Sequence, residues 1–413
     1  MKYMLPAALC TALGAACLAP AQAYDFNSVR INGFGQVVGG STLDNNRQYP
    51  TNSVPLYAYD ADPKFGEESL FALQVSAPLT DKLTATAQIV SHGNDNFKTT
   101  FEWAYVNYQF NSDWSAKLGR QRVPFFYFSD YLEVGVAYPW LRTPTAVYNT
   151  VGGFSNFDGA SVNYSHSFGK WELDPQFIYG RYTGTLFLSA NTSPANTDIR
   201  NLVGASLHAN YNDWLNLRAG YFESQLTVTN TPVDPVVAGL QQLATQLGQP
   251  IYAQAASDLA VNGDTVTFME LGSEINYAKW QFITEYIELK SYHNYIADTK
   301  AFYVALGRHF GKFLPMFTYG RQNGSTSSQL LGEIPDVPVP PYPAAAEAGV
   351  QQLRAGAAAV LASQTAHDSY YQFDLRYDLA NNVALKADFT TFNSSVPSRN
   401  SSNLLSAGIA FSF

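Results

Sequence analysis

The chain has 413 residues, with 24 Lys and Arg against 33 Asp and Glu and a formal net charge of −9. Charged residues make up 14% of it and aromatics 15%. An acidic chain with no Lys/Arg cluster has nothing to neutralise phosphates, which argues against a nucleic-acid binder. At 46% hydrophobic it is too apolar for a disordered chain. After the N-terminus no run reaches 18 uninterrupted apolar residues, which excludes a helical membrane protein.

The N-terminus supplies the first positive signal. Lys2 gives a positive start, Leu5 to Leu18 is an apolar run, and Ala21-Gln22-Ala23 is a small-x-small cleavage site. Residues 1–23 are therefore expected to be a secretory signal peptide, with the mature chain, 24–413, beginning at Tyr24. Both cysteines, Cys10 and Cys17, fall in the removed segment. A secreted chain without disulfides must hold itself together otherwise, and a sheet closed on itself is a natural solution.

From Ser28 onward, segments of about ten residues alternate between apolar and polar. Tyr371, Phe373, Leu375 and Tyr377 share one parity, with Gln372, Asp374 and Arg376 on the other. Leu405, Ala407, Ile409, Phe411 and Phe413 form one face of the last segment. Side chains alternate across a strand, so each segment has an apolar and a polar side. A soluble sandwich shows the same pattern, and the turns discriminate. Phe168-Gly-Lys-Trp171, Tyr211-Asn-Asp-Trp214, Tyr277-Ala-Lys-Trp280 and Phe310-Gly-Lys-Phe313 place aromatics on both sides of tight hairpins, and Phe110 to Trp114 is a fifth with one more residue. Rings at every second turn form the girdle of a membrane interface. The connections between these turns are long and polar. Sixteen strands are expected, at 28–41, 67–77, 83–92, 99–110, 114–122, 157–168, 171–182 and 200–211, then 214–229, 264–277, 280–292, 300–310, 313–322, 367–379, 382–393 and 402–413. The fold class is all-β, a transmembrane antiparallel barrel, and a barrel of that size leaves an aqueous lumen.

The chain resembles the general porins of the Gram-negative outer membrane. The resemblance rests on the signal peptide, a first strand reading Val29-Arg-Ile-Asn-Gly-Phe-Gly, a Leu118-Gly-Arg-Gln motif ahead of a long third loop, and a terminal aromatic. It covers the mature chain as architecture, with few residue-level motifs. It implies a homotrimer in outer-membrane lipid and lipopolysaccharide, no cofactor, and Phe413 as an assembly signal for the barrel-assembly machinery; the same residue also reads as the last lipid-facing position. It further implies that the third loop, 123–156, folds into the lumen as the constriction. That loop is far too aromatic to stand in solvent, and burying it removes apolar area from water at about 25 cal/mol per Å².

Parity assigns the polar side chains to the lumen: Glu102, Glu172, Asp174, Arg200, His208, Arg218, Glu270, Glu274, Asp374, Arg376, Lys386 and Asp388. At the constriction, Asp130, Glu133 and Arg142 of the loop are set against a basic wall of Arg30, Lys117, Arg120 and Arg122. Arg120 and Arg122 share the parity of Leu118 and need a bulge to turn inward. Opposed charges across a narrow opening create a transverse field that orients solutes. Two further loops, 230–263 and 323–366, are Ala- and Gln-rich and expected to be helical, with matching Gly239-Leu-Gln-Gln-Leu243 and Gly349-Val-Gln-Gln-Leu353 segments that suggest paired caps over the mouth. No enzyme is expected: Ser165 and His166 point to opposite faces of a strand, and no histidine pair has metal-ligand spacing. The functional expectation is passive diffusion of small hydrophilic solutes and ions. The alternatives are a channel selective for a sugar or small organic anion, and a closed barrel that binds through its loops.

Overall fold

The computed structural model describes residues 29–44, 47–50, 58–151, 153–186, 194–292, 294–327, 329–338, 340, 342–395 and 401–413. The signal peptide expected at 1–23 lies outside them. Among the described residues, sixteen antiparallel strands form one sheet. They are β1 (Arg30–Ser41), β2 (Leu70–Pro78), β3 (Leu83–His92), β4 (Thr99–Gln109), β5 (Trp114–Arg122), β6 (Asn156–Tyr164, continued by His166–Phe168), β7 (Trp171–Leu186) and β8 (Ala195–Tyr211). The second half holds β9 (Leu215–Thr229), β10 (Val261–Tyr277), β11 (Trp280–Ser291), β12 (Asp298–Arg308), β13 (Phe313–Ser325), β14 (Ala366–Ala380), β15 (Val383–Ser394) and β16 (Ser402–Ser412). Each strand pairs with the next, and β1 pairs with both β2 and β16, so the sheet closes and has no edge.

Closure explains why the alternation runs the whole length of the chain. Ile31, Val37, Phe71, Leu118, Tyr179, Leu271, Phe373 and Leu385 face outward and are exposed, a surface that only a membrane would cover. The tight hairpins all lie at one end. Ala278 and Lys279 both take positive φ, as do Asn212 and Asp213, which is the backbone a two-residue hairpin needs to match strand twist. Their rings make the expected girdle: Trp171 lies 4.8 Å from Tyr211, Tyr211 6.0 Å from Trp214, and Trp214 6.4 Å from Tyr277. Arg308 sits over the Trp280 and Phe310 rings there.

The long loops gather at the other end. The third loop carries the short helix α1 (Thr145–Tyr148); the fifth carries α2 (Asp234–Leu247) and α3 (Pro250–Leu259); the seventh carries α4 (Gln329–Gly332) and α5 (Ala344–Gln364). Asp234 starts α2 by accepting from Asn230 N, Thr231 N and Thr231 Oγ1, and Gly248, at φ 64°, ends it. The helices pack on one another: a Cβ at Gly239 would come within 2.4 Å of Leu353, and one at Gly356 within 3.2 Å of Val236. The two matching sequence segments therefore meet at Gly239 and Leu353.

Two inward assignments need correction. β8 carries a bulge at Asn201, where φ is 50° and the register against β7 and β9 shifts. The bulge turns Arg200 outward, where it pairs with Asp198. Arg120 keeps the outward parity of Leu118 and forms a two-bonded pair with Asp158 of β6, at 2.8 and 3.0 Å. Gly119 just before it has φ 129° but does not reverse the alternation. Both pairs stand towards the loop end of their strands, where a lipid-side charge costs roughly 0–1 kcal/mol rather than the 2–4 of the midplane.

Candidate functional site

The third loop folds into the barrel and packs there. Phe125, Phe126, Tyr127, Phe128, Tyr138, Trp140, Val147 and Tyr148 are all buried, in one core with inward residues of β9 to β14. Phe125 stacks on Phe268 at 4.5 Å, and Trp140 Nε1 donates to Thr318 Oγ1 at 2.8 Å. The wall strands are built to receive it. Ile283, Ile287, Tyr303, Ala305 and Met316 face inward and are buried, so the inner face of β11 to β13 is largely apolar around a few polar groups such as Glu285 and Thr318.

Polar wall residues fasten the loop's backbone and buried hydroxyls. Glu285 of β11 accepts from Tyr127 N at 2.9 Å, Tyr148 OH at 2.8 Å and Tyr303 OH at 3.2 Å, while Glu274 accepts from Tyr127 OH at 3.0 Å. Arg376 donates to the carbonyls of Val136 and Tyr138. Lys386 donates to those of Gly135, Tyr138 and Trp140, and Asp374 accepts from Leu141 N. Arg142 lies between Glu68 and Asp388, with the Tyr49 and Tyr59 rings over its guanidinium. Arg218 donates to Pro124 O at 2.6 Å, and its Nε stands 3.4 Å from buried Glu270.

This corrects the expected lumen. Glu270, Asp374, Arg376, Lys386 and Asp388 point inward as parity requires; Arg376 is only partly covered, but the loop covers the other four and they are buried. Arg142 likewise is buried as an anchor and does not face a solute. Arg30, at the first position of β1, is exposed near the turn end and borders neither polar cavity. Glu68, His92 and Glu285 are the functional residues that sequence reasoning missed. Glu285 carried a signal: it shares inward parity with Gln281, Ile283 and Ile287, a mixture no plain aqueous wall would have.

Two cavities with charged groups in their walls lie beside the loop. A cavity of about 450 Å³ on the turn side is bordered by Tyr105, Lys117, Asp130, Tyr131, His208 and Arg218. A second, about 550 Å³ on the loop side, is bordered by Glu68, His92, Glu102, Glu133, Tyr138 and Arg142. Arg122 borders both. It is the last residue of β5, where the chain turns into the lumen, and its Nη2 lies 3.3 Å from Glu133 Oε2. His92 Nε2 reaches the other oxygen of Glu133 at 3.5 Å. Burial pushes the Glu133 carboxyl up, but Arg122 and His92 together outweigh it and hold it down at about 2. Asp130 is exposed in the lower cavity, and Lys117 there lies 5.3 Å from the centre of the Tyr105 ring. Of the seven residues expected at the constriction, Glu133 and Arg122 meet, and Asp130 and Lys117 border the cavity beneath them.

Solved structures share this architecture. The chain has the fold of an outer-membrane porin. It is similar to OmpF of Salmonella typhi, solved in complex with daunomycin, with 14% identity over 95% of this chain and 100% of that one at a TM-score of 0.55. OprB of Pseudomonas putida matches at 12% identity, covering 94% of each chain, with a TM-score of 0.55. The anion-selective porin from Comamonas acidovorans matches at 12% identity over 94% of this chain and 99% of that one, with a TM-score of 0.52. No family model and no curated protein matches the sequence.

Proposed function

We propose that the protein is a passive outer-membrane channel of a Gram-negative bacterium, carrying small hydrophilic solutes and ions past the third loop, along β1 to β5 on the loop side and β4 to β9 on the turn side. The long loops then face the outside and the tight hairpins the periplasm. The observation that carries this reading is the pair of cavities beside the loop, with charged groups in both walls and Arg122 bordering each. Two of the Arg122 donors, Nε and Nη1, are buried without a hydrogen-bond partner among the described residues, so the guanidinium is held there chiefly by Glu133. The filled lumen favours a selective channel, for a sugar or small organic anion, over a general filter. Export by a signal peptide cleaved after Ala23, a homotrimeric assembly, and lipid and lipopolysaccharide surroundings belong to the same reading, as does a role that is not catalytic.

Reconstitution in a planar bilayer tests it. Open channels are expected, in steps of three equal levels for a trimer. Glu133→Gln removes the acid facing Arg122 and His92, so the reversal potential under a KCl gradient should move toward anion preference. Arg122→Ala should move it the opposite way. Silence from a folded, heat-modifiable barrel would overturn the channel and leave surface binding through the loops as the better account.

A further inference from the structure

A third cavity lies on the far side of the third loop and takes no part in the polar path. Its void is about 100 Å³, bordered by Phe125 and Phe154 of the loop, by Phe222, Val266 and Phe268 of the wall, and by Ala297 of the sixth loop, with Thr150, Ser224 and Thr299 among the few polar groups at its margin. The end of α5, at Gln364, closes it from above. Phe154 and Val151 border this chamber and also the loop-side cavity, so these two side chains stand where the two spaces adjoin.

A space of this kind does not hold water well. Bound water needs two to four polar partners, whereas the walls are mainly aromatic and aliphatic. An empty apolar void also forfeits dispersion contacts on every side, which an apolar guest restores. Cavities of about 150 Å³ lined by Leu, Ile and Phe stay dry and take up benzene or xenon. The chamber here is somewhat smaller and its walls present ring faces and edges. Phe222 meets Phe125 edge-on at 4.9 Å and Phe154 meets it at 5.5 Å, which sets the preferred spacing for one more ring.

We propose that this chamber is a binding site for a small uncharged apolar molecule, of the size of one aromatic ring without long substituents, reached from the loop-side cavity past Phe154. The site does not depend on the barrel conducting.

Fluorobenzene is the probe, followed by its ¹⁹F resonance with the folded protein in detergent micelles. The wild-type protein should show a saturable bound resonance, distinct from the probe dissolved in the micelle. Val266→Phe fills the chamber from the wall and should reduce that resonance at least tenfold. Ala297→Phe fills it from the sixth loop with the same result, and stands in if the first variant does not fold. A wild-type signal no different from micelles alone would overturn the proposal, as would a bound resonance that persists in a folded, filled variant. Conductance of the same samples separates this outcome from the channel reading, because the polar path does not pass through the chamber.

Discussion

Arg142 illustrates how a charge can belong to the lumen by sequence and to the core by structure. Its side chain is 1% exposed, between Glu68 and Asp388. A guanidinium out of water needs its hydrogen bonds and countercharges complete, and here two carboxylates, Ser406 and two tyrosine rings supply them. Arg142→Met keeps the length of the side chain and removes the charge, leaving two buried carboxylates facing one another. It should destabilise the folded barrel by about 3–5 kcal/mol, read as a lower urea midpoint. A double variant that also neutralises Asp388 should recover part of the loss. Parity placed Asp388, Asp374, Arg376 and Lys386 on the inner face of the wall, and the structure agrees. What parity does not encode is the distance from an inward side chain to water. Only the loop decides that, and its path depends on pairs such as Arg142 with Glu68, 74 residues apart.

At the scale of elements, the strands were legible because alternation is local, while two irregular strands were not. Strand positions on the sequence agree with β1 to β16 to within a few residues; β7, β8 and β10 run further toward the loops than their apolar alternation does. Bulges break a parity argument without changing composition, and a lone Asn201 inside an alternating run, though of a type that tolerates positive φ, does not by itself mark one. The helical loops were visible as Ala/Gln-rich sequence, and their packing follows from small residues at the crossing. Gly239 leaves room for Leu353, and Gly356 does the same for Val236. Gly239→Trp should lift α5 from α2. Limited proteolysis within residues 326–365 should then become several-fold faster, while the barrel itself stays heat-modifiable. Adding Leu353→Ala should restore part of the protection. Unchanged cleavage would mean that the two helices are held by the barrel rim and not by each other.

The whole molecule is asymmetric. β7 to β10 have 15 to 17 residues, whereas β2 to β5 have 9 to 11. The loop packs against much of the taller side, while the cavities run along β1 to β5 at the loop end and β4 to β9 at the turn end. Such a cylinder holds together only if its two ends meet, and the seam is where the final residue acts. Gly33 N donates to Phe413 O and Phe413 N to Gly33 O, both at 2.9 Å, so the terminal residue closes the ladder between β16 and β1. Its ring lies over Gly33, where a Cβ would come within 2.3 Å of it, and within 6.2 Å of Phe71. Laying a ring over a bare backbone in this way compensates for the packing a glycine lacks. Phe413 thus has a structural task at the seam, and that task can be separated from any role as an assembly signal. Gly33→Val displaces the ring and leaves the terminal aromatic in place; Phe413→Ala removes both. If the residue acts only through the seam, both variants should refold poorly into detergent in vitro and assemble poorly in cells. If the aromatic is also read during assembly, Phe413→Ala should lose far more outer-membrane barrel in cells than its refolding yield accounts for, while Gly33→Val should lose the two in proportion. The comparison is a ratio of heat-modifiable protein in membranes to that obtained by refolding, and equal ratios for the two variants would leave seam closure as the whole role of Phe413.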